Sequence, residues 1–225
     1  MWIYRDREDA GTILAEKLKP IINNLDNLHI AAIPNGGIPI GIPVATRYDL
    51  VLYVIIARKI QYPWTTEAGY GAVTSDGVEV YNSAAMARAN LSAKQKAVQK
   101  KKTLKEIKER ENFFKNFLLP SDLSQKTVIL IDDGLASGIT MMAAIRSVSN
   151  RGAEKIFVAV PTAHKKSVDK VENIKLRRKT KVEVIAPNIR SGWSFSVASA
   201  YKHWFDETKE RTLQILEENR KNRQK

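Results

Sequence analysis

No cysteine occurs anywhere in the 225 residues, which removes a disulfide framework, thiol chemistry and cysteine-ligated zinc from consideration. No apolar run reaches the roughly 18 residues that cross a bilayer. The first residues, Met-Trp-Ile-Tyr-Arg-Asp-Arg-Glu-Asp, are charged within a few positions and lack the build of a signal peptide. A soluble, cytoplasmic protein without a membrane partner is therefore expected. The chain also lacks Gly-x-x-x-x-Gly-Lys-Ser/Thr, so a strand ending in acids cannot belong to a P-loop nucleotide site. Ester hydrolysis has no evident nucleophile or metal cluster, and of three histidines only His164 stands near a candidate site, where a surface role is the simpler one.

Positive charge is what the chain has in excess: 37 Lys and Arg against 24 Asp and Glu, a net +13. Such a balance favours an anionic partner, whether a polyanionic small molecule, nucleic acid or an acidic membrane face. The plainer alternative is solvated lysine on helix surfaces. The cations gather in residues 94–115, in 175–181 and from Arg220 onward. A chain of this length buries a full core as one α/β domain, residues 1–225, without need of a second.

The organising stretch runs over residues 127–152. Residues 128–131 are an unbroken apolar run too short for a helix, the pattern of a strand buried on both faces of a parallel sheet. Two carboxylates follow, Asp132 and Asp133, then Gly134, Leu135, Ala136, Ser137, Gly138, Ile139 and Thr140. Beyond them a helix of about three turns is predicted, with Ile145 and Val148 inward and Arg151-Gly152 closing it. Residues 155–160 supply the next strand. Ligands of open parallel sheets bind at the carboxyl ends of strands, where this loop lies. Backbone N–H groups of Ala136, Gly138 and Ile139, with the hydroxyls of Ser137 and Thr140, suit a phosphate monoester. Asp132 and Asp133 cannot serve a phosphate. They stand a pentose ring away, where carboxylates accept hydrogen bonds from vicinal hydroxyls and help hold Mg²⁺. Together these features describe a ribose 5-phosphate site.

The segment Val-Ile-Leu-Ile-Asp-Asp-Gly-Leu-Ala-Ser-Gly-Ile-Thr resembles the phosphoribosyl pyrophosphate (PRPP) signature of the type I phosphoribosyltransferases, in a branch with Asp-Asp-Gly in place of the more usual continuation. Ser137 stands where threonine is usual and keeps the hydroxyl. The resemblance implies an open, mainly parallel sheet flanked by helices, a long inserted helix (residues 81–120) and a C-terminal hood (187–225). It also implies binding of the 5-phosphate by residues 134–140, catalytic and Mg²⁺-holding roles for Asp132 and Asp133, a homodimer, and PRPP and a nucleobase as substrates.

The rest of the chain is similar to the same branch. Asp6 is a fitting N-cap for a helix whose apolar side is Ala10, Ile13, Leu14 and Leu18, ending before Pro20. Residues 30–33 form a short strand running into Pro34-Asn35-Gly36-Gly37 and a helix over 38–46. Glycines there let backbone approach a ligand closely, or merely serve the turn. The resemblance makes this the diphosphate loop, with Asn35 where an arginine is common. A second buried strand over 50–56 delivers Arg58 and Lys59, which the family pattern assigns to the diphosphate, Lys59 also to catalysis. Residues 61–76 read as a mobile loop and a strand. Its Glu67 either stabilises charge on the ribose or is a surface acid. Residues 77–81 form a hairpin partner across Ser75-Asp76-Gly77.

Ser92 and Gln95 open the longest helix as a capping box, with Val98, Leu104, Ile107, Phe114 and Phe117 inward and Pro120 ending it. A basic helix this long suits a lid, a dimer arm or a nucleic-acid surface. The last sheet strand is expected over 182–187. Aromatics from Trp193 and Phe195 to Phe205 then lead to a terminal helix; they either grip a planar base or pack the core. The expected activity is transfer of ribose 5-phosphate from PRPP to a nucleobase, with a PRPP-sensing regulator or RNA-binding protein on the same fold as the alternative.

Overall fold

The computed structural model describes residues 3–23, 27–66, 68–192 and 195–223. In chain order its elements are α1 (Arg7–Ile22), β1 (Leu28–Ala32), α2 (Gly37–Arg47), β2 (Leu52–Val54), β3 (Ala57–Gln61), β4 (Gly69–Thr74), β5 (Glu79–Tyr81), α3 (Ser83–Ala89) and α4 (Ala93–Phe113). They continue with β6 (Thr127–Ile131), α5 (Ile139–Asn150), β7 (Lys155–Ala159), β8 (Thr162–His164), α6 (Lys165–Glu172), β9 (Lys181–Ile185), β10 (Asn188–Arg190) and α7 (Lys209–Arg223).

Five strands form the central sheet in the order β2-β1-β6-β7-β9, every pair parallel. The apolar run of β6 explains its central place, because alternate side chains serve opposite layers. Val128 and Leu130 share a core with Met141, Ile145 and Val148 of α5. Ile129 and Ile131 share another with Leu14 and Leu18 of α1 and Ile38 and Val44 of α2. Each such burial stabilises by roughly 1.5–3 kcal/mol over exposure, so a strand apolar on both sides is held from both. The fold is thus the open, mainly parallel sheet flanked by helices that was expected.

Topology places the ligand crevice. The chain leaves β1 through α2 for β2 on one edge, and leaves β6 through α5 for β7 toward the other. β1 and β6 are neighbours, so their carboxyl ends flank the point where connections diverge, the position at which open α/β sheets take ligands. The Gly36-Gly37 loop follows β1; the Asp132-Asp133 loop follows β6.

Several sequence expectations shift. Asp6 caps α1 as expected, accepting from Asp9 N–H at 2.9 Å, but the helix runs through Pro20 to Ile22, and Ile13 faces solvent. A proline in the last turn removes one donor there without ending the helix. The strand expected over 50–56 is only β2; at Ala57 the chain enters a separate antiparallel sheet, β3-β4-β5, docked on α5 through Ala72, Val80, Ile139 and Ala143. The β4–β5 hairpin is where it was expected.

The capping box of α4 is intact, with Ser92 Oγ accepting from Gln95 N–H at 3.2 Å and Gln95 Oε1 from Ser92 N–H at 2.9 Å. The helix stops at Phe113, ahead of Pro120, and its buried side is Thr103 and Ile107. Val98 and Leu104 are 55% and 40% exposed because only a narrow stripe of this helix meets the body. Past β9 a further short strand, β10, pairs with β8 in parallel. Among the described residues no helix is long and apolar enough to cross a membrane.

Candidate functional site at the sheet switch point

Asp133 has the parity of Ile129 and Ile131, so its side chain continues the face of β6 that meets α1. There it finds Arg7, whose Nε and Nη2 donate to Asp133 Oδ2 at 3.0 and 2.9 Å. Arg7 is only 6% exposed. Its Nη1 donates to the Phe205 carbonyl at 2.8 Å and lies 3.7 Å from Glu207 Oε1, and its guanidinium sits 3.9 Å over the Trp204 ring. Tyr201 Oη donates to the Asp133 carbonyl at 2.6 Å. Burial, aided by the Asp133 charge, pushes the Tyr201 hydroxyl up, which keeps it a donor.

Asp132 accepts the Asp133 N–H on Oδ1 at 2.9 Å. Burial and the neighbouring Asp133 charge push its carboxyl well above the usual range, against the pull of Arg7 and Lys59. A half-buried carboxylate held up in this way gains from any donor that arrives.

The loop after β1 lies against these acids. A Cβ on Gly36 would fall inside the Asp133 carboxylate, and one on Gly37 would lie 2.5 Å from the Ile131 carbonyl and 3.1 Å from Asp132 Cα. Only bare backbone fits between β1 and β6 here. The Pro34–Asn35 peptide is cis. Asn35 is held on both ends of its amide: Nδ2 donates to the Glu207 carbonyl at 2.5 Å, and Oδ1 accepts from Arg110 Nη1 of α4 at 2.6 Å.

Residues 134–140 divide into two kinds. Leu135 is structural: its side chain is buried, its N–H donates to the Thr162 carbonyl and its carbonyl accepts from His164 N–H, both at 2.9 Å. The expected phosphate contact from its amide is thus spent on β8. Gly134 is bare because Val197 of the C-terminal segment occupies the space, 2.6 Å from where a Cβ would be. Gly138 caps α5 with φ 75°, a left-handed conformation that favours glycine. The Ala136 carbonyl accepts from Ser167 Oγ, and Ile139 N–H makes a long 3.5 Å contact to Ser137 Oγ. The N–H groups of Ala136, Ser137, Gly138 and Thr140 have no acceptor among the described residues. Four amides at the opening of a twelve-residue helix are an anion-binding arrangement. A 260 Å³ cavity opens beside them, lined by Ser137, Ile139 and Met142 and, from the other sheet, Gly69 and Tyr81.

Arg58 and Lys59 are within β3, paired with Val73 and Ala72 of β4, instead of in a loop after a core strand. The charge of Lys59 reaches Asp132. Arg58 Nη2 donates to Glu106 Oε2 of α4 at 2.8 Å. Phe195 stands edge-on to His164 at 5.7 Å, and His164 Nδ1 accepts the Lys166 N–H as the cap of α6. Glu67 and Trp193 lie outside the described residues.

Sequence reasoning missed three groups: Arg7, Arg110 and Tyr201. Arg7 had a signal, since it lies on the same stripe of α1 as Ala10, Leu14 and Leu18, where a cation is buried and must find an anion. Arg110 and Tyr201 had none, because their partners are 75 and 68 positions away.

The class is therefore an open, mainly parallel α/β protein with an acid pair and a row of amides unpartnered among the described residues at its switch point. The family model for the phosphoribosyl transferase domain matches residues 4–200, and the chain belongs to that family. Two Mycobacterium tuberculosis proteins, from strains CDC 1551 / Oshkosh and ATCC 25618 / H37Rv and provisionally named phosphoribosyl transferases, are each 31% identical over 161 residues, 72% of this chain and 36% of theirs. The chain spans about a third of the length of these curated relatives. The crystal structure of TT1426 from Thermus thermophilus matches with a TM-score of 0.72 at 28% identity, over 97% of this chain and 99% of that one.

Proposed function

We propose that the protein transfers ribose 5-phosphate from PRPP to a ring nitrogen of a nucleobase and releases diphosphate. The observation that carries this reading is the meeting, at one switch point, of a bare-backbone loop, an acid pair and a row of unpartnered amides. The amides of Ala136, Ser137, Gly138 and Thr140, with the two hydroxyls, hold the 5-phosphate, while Gly134, Leu135 and Ile139 shape the turn. Asp132 accepts from the ribose hydroxyls; Asp133, neutralised by Arg7, fixes the turn that presents it. Gly36 and Gly37 backbone, Asn35, Arg58 and Lys59 face the diphosphate. Phe195, beside His164, is the described candidate for contact with the base; roles for Trp193 at the base and Glu67 in catalysis rest on the family resemblance alone.

Breaking the bond from C1 to diphosphate leaves positive charge on the sugar ring and negative charge on the departing group. Asp132 offsets the first and Lys59 and Arg58 the second. Mg²⁺ fits as a companion of the diphosphate. No group of three metal-ligating side chains gathers among the described residues, and Asp133 Oδ2 is occupied by Arg7. Asp132 would be the protein side chain that helps hold such an ion. The bound ion supplies charge neutralisation of the leaving group. In this reading the chain works as one domain and as a homodimer.

The test is diphosphate release from PRPP and Mg²⁺ against purines, hypoxanthine, uracil and orotate. Release with one acceptor supports transfer. Binding of PRPP without release from any, together with salt-dependent retention on nucleic acid, favours a PRPP-reading regulator or RNA-binding protein, the reading to which the net charge of +13 lends weight.

A further inference from the structure

Charge around the β1 loop is unbalanced. On one side Arg7 and Arg211 share two carboxylates, Asp133 and Glu207. On the other side of the loop, Arg58 and Arg110 have, among the described residues, only Glu106 between them, and Glu106 is hydrogen-bonded to Arg58. Arg110 has no ion pair among the described residues; its partner is the neutral Asn35 amide, at 2.6 Å. Burial and the Arg58 charge push Arg110 down to about 10. The Nε–H of Arg58 is buried with no acceptor among the described residues. A desolvated cation without an anion is costly to keep; Arg110 is such a cation, and beside it Arg58, though paired with Glu106, keeps one N–H unsatisfied among the described residues. What would satisfy both is a multiply charged anion against the loop that follows β1.

We propose that Arg110 is a substrate-binding residue, the cation that α4 delivers to the β1 loop, and that Asn35 is the neutral perch on which its guanidinium waits. The role rests on the reading of this loop as the diphosphate side. It gives the long basic helix a definite task. α4 crosses β3 with Glu106 and Arg110 one turn apart, Glu106 fixing Arg58 and Arg110 reaching past it to Asn35. When a diphosphate enters, Arg110 exchanges the Asn35 oxygen for a phosphate oxygen, while Asn35 Nδ2 keeps the Glu207 carbonyl. A guanidinium fork suits phosphate better than an amide oxygen, so the exchange is downhill.

The test compares PRPP with ribose 5-phosphate, which lacks the diphosphate, by calorimetric titration in the presence of Mg²⁺. The variants are Arg110→Met, which keeps the stem, and Arg110→Met with Asn35→Arg, which returns a cation from the loop itself. Arg110→Met is expected to weaken PRPP about tenfold to a hundredfold, the loss of a hydrogen bond to a charged group, and to leave ribose 5-phosphate unchanged. Asn35→Arg is expected to recover a large part of the lost PRPP affinity. Equal weakening of both ligands, or unchanged PRPP affinity in Arg110→Met, overturns the role of Arg110 alone. Wild-type protein that binds neither ligand overturns the reading of the whole site.

Discussion

Replacing Arg7 by methionine tests how the acid loop is held. The side chain is buried, donates twice to Asp133 Oδ2 and once to the Phe205 carbonyl, and stacks on Trp204. Methionine keeps much of the volume and removes the charge, which strands Asp133 and leaves Glu207 with Arg211 alone, at 3.5 Å. Glu207 is the more deeply placed, with its side chain 2% exposed. Removing one partner of a buried pair costs roughly 3–5 kcal/mol. For a chain of this size each kcal/mol is worth about 2–4 °C, so the melting temperature should fall by roughly 6–20 °C in a thermal scan followed by circular dichroism.

Adding Asp133→Asn to Arg7→Met removes one stranded charge and should return about 0.5–3 kcal/mol, a coupling energy expected of residues in contact. The pH dependence follows from burial, which raises both carboxyls against the pull of Arg7 on Asp133 and of Arg211 and Arg7 on Glu207. Without Arg7 the folded state holds these protons more tightly than the unfolded chain, so stability is lost as pH rises out of the ordinary carboxylate range. The deficit of Arg7→Met should therefore be larger at neutral pH than in acid. A loss under about 1 kcal/mol, or a double variant no more stable than the single one, would refute Arg7 as the buried counter-ion of this loop.

Gly134→Ala should cost about 1–3 kcal/mol by overpacking against Val197, and Val197→Ala in the same chain should recover part of it in urea unfolding; no recovery would place the strain elsewhere. Asp76→Asn tests the link between the hairpin and α5. Burial raises this carboxyl, but hydrogen bonds from Thr74 and Ser147 and the Arg151 charge outweigh it and hold it below its usual range. The stabilisation is present at neutral pH and lost as pH falls through that depressed value, so wild type and variant should converge in melting temperature in acid. Parallel curves would contradict this. Ser92→Ala should cost about 1 kcal/mol through loss of the α4 cap, read as a lower urea midpoint with unchanged slope.

Legibility in the sequence followed burial. The strand of residues 127–131 could be read because a run apolar on both faces has one home, a central parallel strand, and the loop behind it inherits its position at the sheet edge. Gly36 and Gly37 could be read because a strand-to-helix turn this close to another strand excludes a Cβ. β3 could not: Ala57-Arg-Lys-Ile-Gln is polar enough to pass for a loop, and its strand state comes from pairing with β4, not from its own pattern. Apolar residues of α4 also misled, since Val98 follows helical spacing yet meets no neighbouring layer. The Asn35 position illustrates the limit for site chemistry. Sequence registers a neutral residue in the loop, whereas the cation beside it arrives from a helix 75 positions later.

The measurement that bears most directly on the switch-point site is calorimetric titration of the wild-type protein and of Asp132→Asn with Thr140→Ala, using PRPP and Mg²⁺. Saturable binding at one site per chain in the wild type, lost in the variant while its melting temperature stays close to that of the wild type, is the expected result. No heat with the wild type, or equal affinity in both proteins, would contradict the assignment of residues 132–140 as the sugar phosphate grip.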